Sequence, residues 1–262
     1  MKTTNQYLTF SEFQIHLRRS GSEGFPIVLL HQTPLSSRMF ERALPYLGQR
    51  MQAFAFDTPG YGNSSPLEKK NVSLGNYAHR ISLAIEKLGL NQIAIAGFAT
   101  GSALAITIAQ NLGNKVTHLI LSGTPLLSEE EIKFYSDNLL EKKIKKDGSH
   151  LGALWNNRIN SYGAEGGLDQ IQMVIEVSLT ATGEIHHGLE AVIKDNIEEK
   201  LKLLKQKVLF LTLENDKLAS SNKKAASIVK HAREIIVSDS YPQLCWTNPE
   251  SYAKIIFDFV LD

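Results

Sequence analysis

Acid–base and hydrogen-bonding groups fall in five short stretches, each at the end of an apolar run. These are His31-Gln32-Thr33-Pro34, Asp57-Thr58-Pro59-Gly60-Tyr61-Gly62-Asn63-Ser64, Gly97-Phe98-Ala99-Thr100-Gly101, Leu213-Glu214-Asn215-Asp216 and Ser238-Asp239-Ser240-Tyr241-Pro242. A carboxyl group or an imidazole taken out of solvent can be tuned to move protons near neutral pH, and Asp216, His31 or a histidine of the pair His186 and His187 could serve in that way. His31 also has a plainer reading, as a buried residue bonded to nearby backbone. Ser240 and Tyr241 offer hydroxyls to a carbonyl, with packing the plainer role for Tyr241. Between the glycines of the third stretch stands Ala99, flanked by Phe98 and Thr100. Its methyl group has no atom with which to attack a substrate.

The elements that must position these groups are legible as patterns. Pro26 to Leu30, Phe54 to Phe56, Ile93 to Ala96, Leu119 to Leu121, Val208 to Leu213 and Ile235 to Val237 are short and continuously apolar. Such runs predict strands covered on both faces of a mainly parallel sheet. Helical periodicity marks Met39 to Leu47, Leu74 to Leu88, Ser102 to Leu112, Ala219 to Lys230 and Pro249 to Leu261. Tyr7 to Phe10 and Phe13 to Leu17 alternate, which predicts an antiparallel hairpin at a sheet edge. The fold class expected is therefore α/β, doubly wound, with ligands at the carboxyl ends of the strands. Residues 128–201 show no strand and open on Ser128-Glu129-Glu130-Glu131 in capping-box spacing. They are expected to form a helical cap inserted into a core made of residues 1–127 and 202–262.

Composition excludes several classes. A formal net charge of +1 offers no basic field for nucleic acid, and the run Lys142 to Lys146 suits a solvated helix face. No apolar stretch approaches bilayer length and the polar start from Met1 to Phe10 is unlike a secretory signal, so a cytoplasmic protein without membrane contact is expected. The single cysteine, Cys245, reads as a small buried hydrophobe. His186 and His187, with Glu184, are expected on the cap surface, with one of them pointing down into the cavity as the alternative, and since adjacent histidines on a helix cannot share a face and no third ligand stands at metal spacing they form no metal site. Neither a metal site nor a cofactor fingerprint is expected.

The stretches together resemble the α/β-hydrolase superfamily, in its capped branch near haloalkane dehalogenases, epoxide hydrolases and small esterases. Gly97 to Gly101 resembles the G-x-S-x-G nucleophile elbow, His31 to Pro34 the oxyanion-hole segment and Asp57 to Ser64 the D-x-P-G-x-G-x-S turn. The resemblance implies oxyanion donors at the N–H groups of Thr33 and Thr100, with Gln32 where a glycine is usual, and a triad acid at Asp216. It also implies a nucleophile at position 99 and a histidine at position 240. The chain has Ala99 and Ser240 there, and no histidine follows His231.

The expected function is non-covalent chemistry on a small apolar carbonyl metabolite: proton transfer, cyclisation, or C–C bond cleavage or formation, held by a backbone oxyanion hole. A non-catalytic protein that binds a small ligand or a partner is the first alternative. A serine-to-alanine variant of an ester or thioester hydrolase is the second. The partner expected is a small molecule, with a homodimer left open.

Overall fold

The computed structural model describes residues 1–137, 144–162, 167–181 and 184–262, so Lys142 and Lys143 of the basic run lie outside the described residues. Strands β1 (Thr3–Thr9) and β2 (Gln14–Ser20) form the antiparallel hairpin, with Leu8 opposite Ile15. Beyond them lie β3 (Phe25–Leu30), β4 (Met51–Phe56), β5 (Ile93–Phe98), β6 (Val116–Ser122), β7 (Lys207–Leu213) and β8 (Arg233–Val237), all parallel to one another. The eight-stranded sheet runs β1-β2-β4-β3-β5-β6-β7-β8. After β4 the chain crosses back over β3 to lay down β5. Winding direction therefore reverses between β3 and β5, and Leu30 pairs with Gly97 where their carboxyl ends meet. A crevice opens at such a reversal because the connections on either side leave over opposite faces of the sheet.

Helices α1 (Leu44–Leu47), α2 (Leu74–Lys87), α3 (Thr100–Leu112), α4 (Glu129–Asp137), α5 (Ser149–Tyr162), α6 (Leu168–Leu179), α7 (His187–Ile193), α8 (Ile197–Lys202), α9 (Ala219–Ile228), α10 (Leu244–Thr247) and α11 (Pro249–Val260) surround the sheet. Successive strand residues point to opposite faces. Val28, Leu30, Ile93 and Ile95 accordingly join Ile81 of α2 and Ile106 of α3 in one core, while Ile27, Leu29, Ala94 and Ala96 join Leu47 of α1 and Ile256 of α11 in the other. Each fully buried leucine or isoleucine contributes about 1.5–3 kcal/mol to holding these layers.

Two expectations need correction. The run Met39 to Leu47 is not one helix but a 3-10 turn, Ser37–Phe40, followed by α1. Pro45 lacks the N–H needed to continue a helix from the preceding turn, and it sits comfortably only where a new one begins. The last apolar run is not covered on both faces either. As the edge strand, β8 leaves Ile235 38% and Ile236 50% exposed.

Between β6 and β7 the described chain is helical. Ser128 Oγ accepts from Glu131 N–H at 3.2 Å and Glu131 Oε2 accepts from Ser128 N–H at 2.7 Å, the reciprocal cap that starts α4. Met173, Val174 and Val177 of α6 join the second core, whereas Ala191, Val192, Ile197 and Leu201 of α7 and α8 join the first beside α2 and α3.

Candidate functional site

The turn from β5 into α3 is a close crossing of backbones. A Cβ on Gly97 would stand 2.3 Å from Gly101 O, and one on Gly101 would stand 2.1 Å from Leu30 O. Only glycine fits either position, which is why these two residues bracket the corner. Ala99 occupies the tip at φ 51°, ψ −115°, a conformation that L residues rarely adopt. Its N–H donates to Ser122 O at 2.9 Å. Ser102 Oγ shares its proton between Gly97 O at 2.7 Å and Ser122 O at 2.8 Å, so that hydroxyl locks the corner from within the helix.

His31, after β3, spends both ring nitrogens on backbone. Nε2 accepts from Thr58 N–H at 2.9 Å, which leaves the proton on Nδ1, donated to Gln32 O at 2.9 Å. Burial, opposed by the Asp57 charge and the Gln32 carbonyl, holds its basicity below the ordinary value. His31 is fully buried and absent from the cavity wall. There it braces two loops through both ring nitrogens. Asp57 is likewise used up: Ser37 N–H, Asn63 N–H and His16 Nδ1 all bond its carboxylate. Burial pushes that acid up, but the His16 hydrogen bond and charge outweigh it and the group stays below its ordinary value.

The two expected oxyanion donors are linked to each other. Thr33 N–H donates to Thr100 Oγ1 at 2.7 Å. The Thr33 amide is thereby engaged, and the hydroxyl proton of Thr100 is left to donate in its place. Thr100 N–H, in the first turn of α3, has no intrahelical acceptor. One residue thus offers two donors, a hydroxyl and an amide, at the positive end of a helix.

Asp216 follows β7. Its Oδ1 accepts from Leu218 N–H at 2.9 Å, while Oδ2 is buried and has no hydrogen-bond partner. Burial raises its pKa to about 6 against the lowering effect of the Leu218 bond. The loop after β8 was expected to turn hydroxyls toward it. Instead Ser240 Oγ donates to Val237 O at 2.5 Å and accepts from Glu214 N–H at 3.2 Å, bonds that tie the loop to the end of β7. Neither Ser240 nor Tyr241 reaches the cavity wall, to which this loop contributes Pro242.

The cavity over the β3–β5 crevice has a volume of about 410 Å³ and brings together Gln32, Thr33, Phe98, Ala99, Thr100 and Asp216. Its roof comes from residues of the helical insertion, among them Tyr135, Arg158 and His186. Burial, then the charges of Glu131 and Asp216, push the Tyr135 phenol up. Arg158 is 8% exposed, and its Nε and Nη2 have no partner. Sequence reasoning missed both residues, since nothing local tells which face of a cap helix looks down. It also expected both cap histidines on the surface, yet His186 lines the cavity, with Nε2 3.5 Å from Glu190 Oε1. His187 does not line it, and burial followed by the His186 charge lowers its basicity.

The roof is fastened at several points. Tyr61 hydroxyl accepts from Gly188 N–H at 2.8 Å and donates to Ile185 O at 3.4 Å. Gln170 Nε2 donates to Pro242 O at 2.7 Å, and Arg38 Nη1 meets Glu176 Oε2 at 2.6 Å. Cys245 is buried with its thiol toward Met39 O, and burial pushes its pKa up, so it is an inert packing group. Among the described residues no group of three or more His, Cys, Asp or Glu is placed to hold a metal ion, and no helix is long and apolar enough to cross a membrane.

The sequence profile of the alpha/beta hydrolase fold matches residues 26–249. The chain is 28% identical over 108 residues to the uncharacterized hydrolase YNR064C of Saccharomyces cerevisiae, a match covering 41% of this chain and 37% of that protein. The match therefore spans little more than a third of the yeast protein. It is 28% identical over 207 residues to the AB hydrolase superfamily protein YisY of Bacillus subtilis, covering 75% and 76% of the two chains. A bromoperoxidase from Bacillus anthracis superposes with a TM-score of 0.82 at 16% identity, covering 99% and 100%, a likeness of fold.

Proposed function

The chain belongs to the alpha/beta hydrolase fold family, and from that premise we propose that it has exchanged covalent hydrolysis for acid–base chemistry under its cap. A small carbonyl compound binds above Ala99, Thr100 holds the carbonyl oxygen, and Asp216 moves a proton on the neighbouring carbon. The carboxylate takes the proton, the electron pair passes to the oxygen as an enolate, the proton on the carboxyl exchanges with solvent, and a solvent-derived proton is returned to carbon with the carboxylate restored. No acyl-enzyme forms, because a methyl group stands where a nucleophile would attack.

One observation carries this reading: Asp216 lines the cavity with Oδ2 buried and without a hydrogen-bond partner, and burial pushes its pKa up to about 6. A carboxylate locked to an imidazole would stay far below neutral and serve only to orient it. Asp216, its pKa raised by burial to about 6, lies nearer neutrality than an ordinary carboxylate, which suits a group that accepts a proton and gives it back. Positioned general bases contribute roughly 10²–10⁴-fold.

The test is solvent exchange. In deuterium oxide, small ketones and enol-forming carbonyl compounds incubated with the protein should lose their α-proton NMR signals, and Asp216→Asn should stop it. Undiminished exchange in that variant, or a rapid nitrophenol burst from activated esters, would overturn the reading.

A second reading, ligand binding without turnover, draws support from the Thr33–Thr100 bond, which reduces the backbone amides open to an oxyanion. Under it, Asp216→Asn changes ligand affinity and no exchange is seen with either protein.

A further inference from the structure

Among the described residues Arg158 is the one buried cation on the cavity wall and no acid is paired with it, its Nε and Nη2 having no hydrogen-bond partner. An unpaired guanidinium held out of water costs several kcal/mol, and a chain keeps that cost only where something offsets it. The unpartnered nitrogens, Nε and Nη2, form one edge of the guanidinium, the edge whose two N–H bonds run parallel. That fork matches the two oxygens of a carboxylate. Asp216 does not serve as its partner. No hydrogen bond joins the two, since Arg158 Nε and Nη2 and Asp216 Oδ2 are all without partners. Asn157 and Asn160, neighbours of Arg158 on α5, also line the cavity and bring amide donors to the same side.

We propose that the ligand of this cavity is a carboxylic acid, its carboxylate held by the free fork of Arg158 and its reacting carbonyl directed toward Thr100 and Asp216. The inference rests on the cavity being the ligand site, and its carbonyl end rests on the acid–base reading above. A single buried positive charge balances a single negative one. A phosphate dianion would bring two charges and a third oxygen, for which the described roof provides no second buried cation.

Binding of hexanoate, hexan-1-ol and hexyl phosphate to the whole protein at pH 8, measured by calorimetry, tests the anion claim separately from turnover. Wild-type protein should bind hexanoate at least about tenfold more tightly than hexan-1-ol. Arg158→Met should weaken hexanoate by about 10–100-fold while leaving hexan-1-ol unchanged, which also reports that the variant is folded. Arg158→Lys, which keeps the charge and loses the fork, should fall between. Equal binding of hexanoate and hexan-1-ol, hexanoate binding indifferent to Arg158→Met, or Arg158-dependent preference for hexyl phosphate would each overturn the proposal. Selective hexanoate binding with no α-proton exchange would remove the acid–base reading and leave the carboxylate site standing. Exchange lost in Asp216→Asn but without anion selectivity would do the reverse.

Discussion

The amide of Thr33 donates to the hydroxyl of Thr100 across 2.7 Å, joining the loop after β3 to the first turn of α3. Because the hydroxyl accepts there, its own proton is aimed elsewhere, and the cavity is the space it borders. Thr100→Val keeps the shape and removes both functions. Turnover should fall roughly 10²-fold, as for loss of one oxyanion donor, and stability by about 1–2 kcal/mol for the stranded Thr33 amide. Thr100→Ser should retain most of both. Exchange rates and urea unfolding of the pair check this, and an active Thr100→Val would remove the hydroxyl from the mechanism.

Asp216 links activity to stability with opposite signs. Its folded value of about 6 lies above the ordinary aspartate value of about 3.9, so the folded protein binds that proton more tightly than the unfolded chain. The stability this confers is fully present below about pH 3.9 and is lost as pH rises through about 6. Asparagine has no charge to bury and keeps an oxygen for the Leu218 N–H. Asp216→Asn should therefore be more stable than wild type at pH 8, on the order of 2 kcal/mol, with the gap closing toward pH 4. Unfolding curves across that range decide it, and a variant less stable at pH 8 would contradict the burial of the charge.

The activity profile follows from the same group. The base form is the ionised one, so the exchange rate should rise with pH through about 6 and then level off. A profile flat from pH 5 to 8 would exclude Asp216 as the proton carrier.

What the sequence made legible is what local constraint dictates. Gly97 and Gly101 could be read because a backbone crossing tolerates no Cβ, the Ser128 cap because its partners lie three residues apart, and the strands because both faces of the central sheet are covered. The engagement of Thr33 by Thr100 joins residues 67 positions apart, and no local pattern encodes it. The same holds for the downward face of α5 that carries Arg158, and for Ser240 turning its hydroxyl to Val237 O. The exposed edge at Ile235 and Ile236 was misread because an apolar run looks alike at the centre and rim of a sheet.

Gly188 sets the height of the cap. A Cβ there would stand 2.4 Å from Thr33 Cγ2 and 2.9 Å from the Tyr61 hydroxyl, whose bond to Gly188 N–H fastens the roof. Gly188→Ala should lift the start of α7, cost about 1–3 kcal/mol and weaken small-ligand binding. Tyr61→Phe, which strands the Gly188 amide without adding bulk, should cost about 1–2 kcal/mol. If Gly188→Ala bound ligand as wild type does, the close approach of cap and core would not define the cavity.

Ala99 stands at the tip of the turn from β5 into α3. The tip keeps a backbone at φ 51° that costs of order 1–3 kcal/mol for a residue with a side chain, although no side-chain chemistry is left to justify it. Ala99→Gly should therefore gain about 1 kcal/mol, the relief of strain exceeding the added unfolded-state freedom. Ala99→Ser puts a hydroxyl at the tip with no imidazole beside it, since Ser240 occupies that loop position and bonds backbone on both sides. It should release no burst from nitrophenyl esters. A burst would mean that another base reaches the tip, and it would favour descent of this site from a serine hydrolase by that one substitution. Silence in Ala99→Ser together with slow hydrolysis in the Ala99→Ser, Ser240→His double variant would place the loss of covalent chemistry at both positions, as two groups that act only as a unit require.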